Sequence, residues 1–554
     1  MQRKKELQKD NLVQKSKPVS KNKLIQKKDF VQKNKFENIG LIKPFIIALF
    51  LLVWAIYEFF TNGQTTTFWL TAIASIAILL PNLIWLKLKI GTIFGIPFVF
   101  TMLRTKHTIN TIHALSKHGK LFEKISIAGL FLGFGLAGVD YWTAREKGGL
   151  KRIGILFFSA ILLGIIFIQF VSILFAVPAL APLLLLGLVS FVLLGFGGLS
   201  LAFLLGYGYL SIEALILGNQ ICPSVAPVLP GVPIPGLGVV IPLIAWVSLG
   251  IIMVIHEFSH GVMLSYYKEK IKAVGLILVG IIPMGAFVEQ DDNTFMKKAD
   301  RKQLVVLSAG PTSNLVSILV GLIILILFYF SLSFIMPTLN AEFEGAYSGI
   351  TVSSIPQTFN VCGQDYNSPA FGLLIEGDKI VASNGRDVNL LIKNSLKLEN
   401  NLLVYNKIFG IPQAKTTSDD YVISVLRNDE VIDVNITPVN IEFFGSSSLG
   451  PIGLELVKEK EISFTAQIIS QLIGYTDSII FFFILLSFAV GMFNFMPTNP
   501  LDGGRMAQIM LVPYFGFMKF ETKEETQKFI GRLFIWVFLI SILINLLPYF
   551  TMFF

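Results

Sequence analysis

Long runs of apolar residues, separated by shorter polar stretches, dominate the pattern along this chain. Nine of these runs approach or exceed the roughly 20 residues that a helix needs to cross the hydrocarbon core of a bilayer. They lie near 41–60, 67–86, 125–142, 153–176, 182–217, 238–266, 304–336, 478–496 and 530–553. The pattern therefore predicts a mainly α polytopic membrane protein with about nine transmembrane helices.

One stretch, residues 341–475, departs from this pattern and has the composition of a water-soluble domain. Apolar and polar residues alternate there over short runs, as in YVISVLRNDEVIDVNITPV at 421–439. A period of two residues, with a turn at Arg427, Asn428 and Asp429, predicts a β-hairpin. We therefore expect a small β-rich domain inserted between two apolar blocks.

The chain divides into five predicted blocks. Residues 1–40 are expected to form a disordered, Lys-rich tail, and 41–218 an N-terminal transmembrane helical block without a motif that carries chemistry. Residues 238–336 and 477–553 are expected to form the two halves of one functional core, separated by the β-rich insertion 341–475. All candidate site residues fall in the two core halves.

Charge supports the membrane assignment and orients the chain. Only 15% of the residues are charged, whereas an average soluble domain has about 25%. Residues 1–44 hold thirteen Lys or Arg and four Asp or Glu, a net of +9 that equals the formal charge of the whole chain. The positive-inside rule places this end in the cytoplasm. Seven predicted crossings then put 341–475, which has nine basic and sixteen acidic residues, outside.

The basic tail is expected to serve as a topology signal in a cell membrane. Electrostatic contact with anionic lipid or with nucleic acid is the alternative interpretation. We expect the lipid bilayer as a partner and no nucleic acid, and the sequence assigns no oligomeric state.

A metal-binding motif lies within one apolar run. His256, Glu257 and His260 form HEFSH inside VSLGIIMVIHEFSHGVMLSYY. On a helix, positions four apart share one face, so both imidazoles can reach one Zn²⁺ ion while Glu257 lies beside it. Ionisable groups inside a membrane usually mark function. The alternative is a hydrogen-bonded polar cluster between helices.

A catalytic zinc site needs a third protein ligand and an open position. The best candidate is Asp502 in NFMPTNPLDGGRM at 494–506. Pro497 and Pro500 interrupt the apolar span there, and membranes tolerate exposed backbone only against protein or a water-lined cavity. Asp502 at such a break fits a metal ligand, and an ordinary helix end with a turn is the alternative.

Three motifs together resemble the site-2 protease family of intramembrane zinc metalloproteases. HEFSHG at 256–261 is similar to the family's HExxH, NFMPTNPLDGG at 494–504 to its NxxPxxxLDG, and AGPTSN at 309–314 to its GPxxN. The resemblance covers roughly 240–515. It implies that His256, His260 and Asp502 bind zinc and that Glu257 is the general base.

Two asparagines match these motifs. Asn314 ends AGPTSN and Asn494 begins NFMPTNPLDGG. Either amide could donate a hydrogen bond to a developing oxyanion or to an extended substrate backbone, which would make it catalytic. Either could instead form a hydrogen bond between helices.

Two further segments resemble parts of these proteases. SPAFGLLIEGDKIVASNGRDV at 368–388 is similar to a PDZ domain, a fold that binds extended peptides at a sheet edge; a generic β-rich spacer is the alternative. The apolar run 273–289 is short for a span and is broken at Pro283 and Gly285, which suggests a re-entrant or interfacial element. In the family such a stretch forms a β-loop, so Gly285 to Val288 are expected to offer an edge to substrate; a plain packing segment on the cytoplasmic side is the alternative.

These features predict a zinc-dependent endopeptidase that hydrolyses peptide bonds in or near transmembrane segments of membrane proteins. A metalloprotease of another family, with a glutamate as third ligand, is one alternative. A membrane transporter or a non-catalytic scaffold that uses the polar cluster to bind an ion is another.

Overall fold

A computed structural model describes most of the chain from residue 90 onward. The described residues are 90–92, 100–105, 107–174, 183–218, 229–231, 241–279, 282–290, 295, 297–343, 347–361, 364–388, 421–441 and 446–549. The predicted tail 1–40 and the predicted spans 41–60 and 67–86 lie outside them.

Helices make up most of the described structure. Nine α-helices run in chain order as α1 His107–Leu115, α2 Gly119–Val139, α3 Gly149–Leu174, α4 Leu183–Leu217, α5 Ala245–Tyr266, α6 Asp300–Phe343, α7 Phe464–Asn494, α8 Asp502–Met510 and α9 Lys523–Asn545. A π-helical turn, Asp140–Ala144, continues α2. Short 3₁₀ turns follow α1 and α8.

Seven helices in the described part of the chain are long and apolar enough to cross a membrane. They cover Thr108–Ala144, Gly149–Gln169, Leu184–Leu217, Ala245–Tyr266, Asp300–Phe343, Phe464–Asn494 and Lys523–Tyr549. Each overlaps one of the seven apolar runs predicted from residue 125 onward, while a total of nine spans stays a prediction. Large apolar side chains along α3, among them Phe158 and Ile168, are more than half exposed. Such a surface suits lipid and not water.

The chain divides into two compact units, one of residues 1–106 with 274–287 and the other of residues 107–273 with 288–554. Strands β1 Ile90–Thr92, β2 Phe100–Thr105, β3 Ile271–Val279 and β4 Ile282–Gln290 form a sheet in that order, and most of their residues belong to the first unit. Strand β2 pairs with β3 in antiparallel register. The run predicted as a re-entrant or interfacial element therefore forms two strands.

The second unit contains all nine helices. Helices α2 and α4, which fall in the predicted N-terminal block, pack in the same apolar core as the later helices. Phe134, Phe191 and Phe495 are completely buried in that core. The block and domain boundaries predicted from the sequence stay predictions.

Helices α2 and α4 are each interrupted by a glycine, and the two interruptions meet. Gly135 has φ 50° and ψ −135°, and Gly195 has φ 58° and ψ −148°. Only glycine adopts this backbone region without strain. A Cβ on Gly135 would lie 2.7 Å from the backbone nitrogen of Gly195. The close approach of the two backbones therefore requires glycine at both positions.

Within the predicted β-rich insertion 341–475, the described strands lie between Tyr347 and Lys458. Its strands are β5 Tyr347–Ser354, β6 Thr358–Val361, β7 Gln364–Asn367, β8 Lys379–Ser383, β9 Arg386–Asp387, β10 Tyr421–Arg427, β11 Glu430–Ile436, β12 Val439–Ile441, β13 Ser446–Ser448 and β14 Gly453–Lys458. The main sheet has the order β11-β10-β8-β5-β14, with β9 paired to β8. The predicted hairpin is confirmed, because β10 and β11 pair around a turn in which Asn428 and Asp429 have positive φ. The PDZ-like identity of this region stays a prediction.

A buried ion pair links the loop before β8 to the end of β10. Arg427 donates from Nε to Oδ1 of Asp378 at 2.7 Å and from a terminal nitrogen to Oδ2 at 2.6 Å. The Asp378 side chain is only 1% exposed and also accepts the N–H of Ile375 at 2.9 Å. Burial alone would raise the pKa of Asp378, but these hydrogen bonds outweigh it and hold the pKa below its ordinary value of 3.8.

We expect Asp378→Asn to destabilise the β-rich region by about 3 kcal/mol near neutral pH, because it leaves the Arg427 charge without its buried partner. The wild-type carboxylate has a lowered pKa, so its contribution is complete above the unfolded pKa and is lost as pH falls through the folded pKa. The difference between the two proteins should therefore shrink below about pH 4. This difference in stability is measured by hydrogen–deuterium exchange of the β10 amides in detergent-solubilised full-length protein.

Glu461→Gln is the matched control, because Glu461 pairs with Lys458 at an exposed site. Exposed pairs contribute little, so this variant should exchange like the wild type at every pH. Equal protection of β10 in wild type and Asp378→Asn at neutral pH would contradict the prediction.

Candidate metal centre

Helix α5 presents two histidines and one glutamate, His256, Glu257 and His260, within a mainly apolar sequence. His256 and His260 are one helical turn apart and lie on the same face. Their ring centroids are 4.9 Å apart, and their Nε2 atoms approach to 3.2 Å. Both imidazoles therefore point at one position.

Asp502, from a distant part of the chain, completes this cluster. Its Oδ2 lies 3.0 Å from Nε2 of His256 and 3.2 Å from Nε2 of His260. Zinc–ligand bonds of about 2.0–2.1 Å in a tetrahedral site separate neighbouring ligand atoms by about 3.3 Å. The three atoms thus form one face of a slightly contracted tetrahedron, and the donor set of two nitrogens and one oxygen suits Zn²⁺.

Glu257 is a rival for the third ligand, since its carboxylate, His256 and His260 bring ligand atoms within 4.8 Å of one another. The shorter distances favour Asp502, whose Oδ2 contacts both imidazoles directly. The Glu257 carboxylate instead accepts the backbone N–H of Val288 at 3.1 Å. Glu257 is therefore held beside the ligand cluster and outside it.

The orientation of His260 is set by a backbone carbonyl of α6. Its Nδ1 lies 2.7 Å from the carbonyl oxygen of Val306, which can only accept a hydrogen bond. The proton of a neutral His260 is therefore on Nδ1, and Nε2 presents a lone pair to the cluster. Second partners of this kind fix the tautomer of metal-binding histidines.

His256 has a different partner, the amide of Asn314 on α6. The Asn314 side chain is completely buried, and its Nδ2 lies 3.0 Å from Nδ1 of His256. In this arrangement Nδ1 accepts, so Nε2 carries the proton and donates to Asp502. The Asn314 Oδ1 is buried and has no hydrogen-bond partner in the described structure. An orphaned buried acceptor of this kind calls for an explanation.

Asn494 has a different environment from Asn314. It is half-buried, and its Nδ2 donates to the carbonyl oxygen of Val490 one turn earlier in α7 at 3.0 Å. Among the described residues, the structure thus brings Asn314 but not Asn494 into hydrogen-bond contact with a candidate ligand.

A glycine leaves the space for this cluster. A Cβ on Gly310 of α6 would lie 2.6 Å from Nε2 of His256 and closer still to Nε2 of His260. Any side chain there would occupy the position at which the imidazoles converge. Gly310 lies within AGPTSN, so this motif contributes a glycine to the site as well as Asn314, and the glycine could have been found from the motif. Val288 and Val306 contact the site through backbone atoms, so their side chains could not identify them as site residues in the sequence.

Asp502 is the first residue of the short helix α8, where a carboxylate is favoured by the helix dipole. The turn before it folds back on the helix because two glycines follow. A Cβ on Gly503 would overlap the carbonyls of Phe495 and Met496, and one on Gly504 would lie 2.5 Å from the nitrogen of Asn499. The glycines of LDGG thus allow the turn to pack against its own helix.

Comparison with known proteins identifies what this chain is similar to. A protein of Methanocaldococcus jannaschii, itself uncharacterized, is 27% identical over 268 residues, which cover 48% of this chain and 57% of that protein. The similarity thus spans little more than half of that relative's length. The model of peptidase family M50 matches residues 244–540, just over half of this chain, and includes all three motifs. The chain therefore belongs to peptidase family M50, the site-2 protease family of intramembrane metalloproteases, as its motifs predicted.

Proposed function

We propose that this multi-pass membrane protein is a zinc-dependent endopeptidase that hydrolyses peptide bonds in or near transmembrane segments of other membrane proteins. The observation that carries the proposal is the convergence of three ligand atoms, 3.0–3.2 Å apart, between helices long and apolar enough to span a bilayer. The family match supports the same reaction class.

In this proposal His256, His260 and Asp502 would hold the metal. When bound, zinc supplies a Lewis acid that activates water and polarises the peptide carbonyl. Glu257 is the general base that accepts the proton. One of its carboxylate oxygens accepts the Val288 N–H, which fixes the side chain and leaves the other oxygen to receive the proton. A substrate helix must unwind locally, because a helix keeps its carbonyls in internal hydrogen bonds.

Asn314 is proposed as a positioning residue for His256. For Nε2 to bind a metal, the imidazole proton must be on Nδ1, which then needs an acceptor. A half-turn of the Asn314 amide would bring Oδ1, which has no partner at present, to face Nδ1. The amide orientation would thus change together with the His256 tautomer. Asn494 is proposed, as the motif suggests, to orient substrate, for which its amide would have to leave Val490.

We expect Glu257→Gln to lower cleavage of single-pass membrane substrates by about 10²–10⁴-fold, the usual contribution of a general base. It should retain zinc, because the candidate ligands are unchanged. His256→Ala and Asp502→Ala should lose both zinc and activity, while His118→Ala, at an exposed histidine, should keep both. The measurements are zinc content and substrate cleavage by purified protein in detergent.

Turnover by Glu257→Gln within a few-fold of wild type would overturn the role of Glu257. A wild-type protein without zinc would favour the scaffold interpretation. If His256→Ala and Asp502→Ala both retain zinc, the metal binds at a different site.

The role of Asn314 predicts opposite effects of two substitutions on zinc affinity. Asn314→Leu removes the acceptor for the Nδ1 proton and should weaken zinc binding by about 10–100-fold. Asn314→Asp, whose carboxylate always accepts, should bind zinc at least as tightly as wild type. Competition with a chelator gives the affinities, and ¹⁵N NMR of the imidazole reports the tautomer. Unchanged affinity in Asn314→Leu would leave the substrate-orienting role as the alternative.

We also propose that residues 341–475 form a PDZ-like extracytoplasmic domain that selects substrates. The basic tail supports a cytoplasmic N-terminus, and the acidic insertion then lies on the opposite side. The sheet of 347–458 supports capture of an extended peptide by strand addition. We expect deletion of the domain to broaden cleavage to substrates with bulky outer domains, measured on a panel of matched substrates. Unchanged substrate choice would contradict this role.

A further inference from the structure

Helices α2 and α4 lie before the region that matches family M50, and neither contributes a candidate ligand. Both nevertheless contact the turn between α7 and α8 that ends at Asp502. Their contacts converge on one residue of that turn, Phe495, which is completely buried. These contacts indicate that the two helices hold Phe495 in place.

Each helix touches Phe495 through a glycine. A Cβ on Gly133 of α2 would overlap the Phe495 ring, whose Cγ would lie 2.7 Å away. A Cβ on Gly197 of α4 would overlap the carbonyl oxygen of Phe495, with the carbonyl carbon at 3.1 Å. The Ser200 hydroxyl, one turn further along α4, shares its proton between the carbonyl oxygen of Met492 at 3.3 Å and that of Phe196 in its own helix at 2.9 Å. The end of α7 is thus fixed from two sides.

The same carbonyl also contacts the residue that follows Asp502. The Phe495 carbonyl oxygen is also the atom that a Cβ on Gly503 would overlap, and Gly503 directly follows Asp502. The Phe495 peptide group is therefore in close contact with glycines of two different elements, Gly197 of α4 and Gly503 of α8. A displacement of Phe495 would be transmitted to Asp502, because these contacts leave no free space between them.

We propose that Gly133 and Gly197 are positioning residues for the metal centre, which hold Phe495 and thereby set the position of the Asp502 carboxylate. This inference rests on the proposed role of Asp502 as a zinc ligand. Ligand geometry tolerates displacements of only about 0.5 Å, so the added volume of a single methyl group is enough to perturb it. The helices that precede the family-matched region would then be part of the enzyme's catalytic core and more than a membrane anchor.

The test is a double-mutant cycle read out as zinc affinity of the full-length protein in detergent. Gly133→Ala and Gly197→Ala should each weaken zinc binding by about 10–100-fold, as loss of outer-shell support does. In the background of Phe495→Leu, which shortens the ring, Gly133→Ala should have little further effect. Gly197→Ala should keep its full effect in that background, because its clash is with the backbone carbonyl.

Gly154→Ala and Gly164→Ala on α3 are the matched controls, since a Cβ at either position meets nothing within 4 Å. Both should bind zinc like the wild type. Melting temperature is measured alongside, because a purely structural role would lower it without changing zinc affinity in the folded protein. Should Gly197→Ala fail to fold, Ser200→Ala, which removes the hydroxyl that contacts the carbonyl oxygens of Met492 and Phe196, should weaken zinc binding by about 2–5-fold.

Wild-type zinc affinity in both glycine variants would overturn this inference and leave the proposed function intact. Equal effects of Gly133→Ala with and without Phe495→Leu would also overturn it. A wild-type protein that binds no zinc, or that binds it independently of Asp502, would instead remove the proposed function on which the inference rests.

Discussion

Two imidazoles and a carboxylate buried between apolar helices are costly unless each polar atom finds a partner, because hydrocarbon offers no water to solvate them. In this protein the Oδ2 of Asp502 contacts both Nε2 atoms, and each imidazole has a second partner at Nδ1. This requirement constrains the surrounding elements. Helix α6 must lie against α5 closely enough for Val306 and Asn314 to reach the two rings, and only glycine at position 310 permits that approach.

The parts of the site that depend on local spacing could be predicted from the sequence. The four-residue spacing of His256 and His260 determines that the imidazoles share a face, and prolines with LDGG mark the break at which Asp502 lies. The apolar runs predict the described membrane-spanning helices because hydrophobic length is a local property. Contacts between distant parts of the chain could not be predicted, because local spacing and hydrophobic length do not specify which helices pack together. Gly133 and Gly197 look like ordinary glycines of membrane helices until Phe495 is placed against them.

Motif membership also did not determine the environment of a residue. Asn314 and Asn494 match the motifs equally well, yet one is fully buried against His256 and the other is bonded to its own helix. The β-rich region gives a parallel case. Alternation predicts which side chains of β10 and β11 face the core, and the turn predicts that they pair. The pairing of β5 with β14 joins strands from opposite ends of the region, which a period of two cannot specify.

Two of the groups that orient the site belong to the main chain, the carbonyl of Val306 and the amide of Val288. Substitution of either residue by another of similar size leaves these atoms in place. Related proteins are therefore free to vary at both positions while they keep the same support, and neither position would stand out in an alignment. Alanine at either position keeps the same main-chain atoms, so an alanine scan does not test the contribution of these atoms. Their contribution becomes visible only when the backbone itself is altered, for example by an ester in place of the amide at Val288.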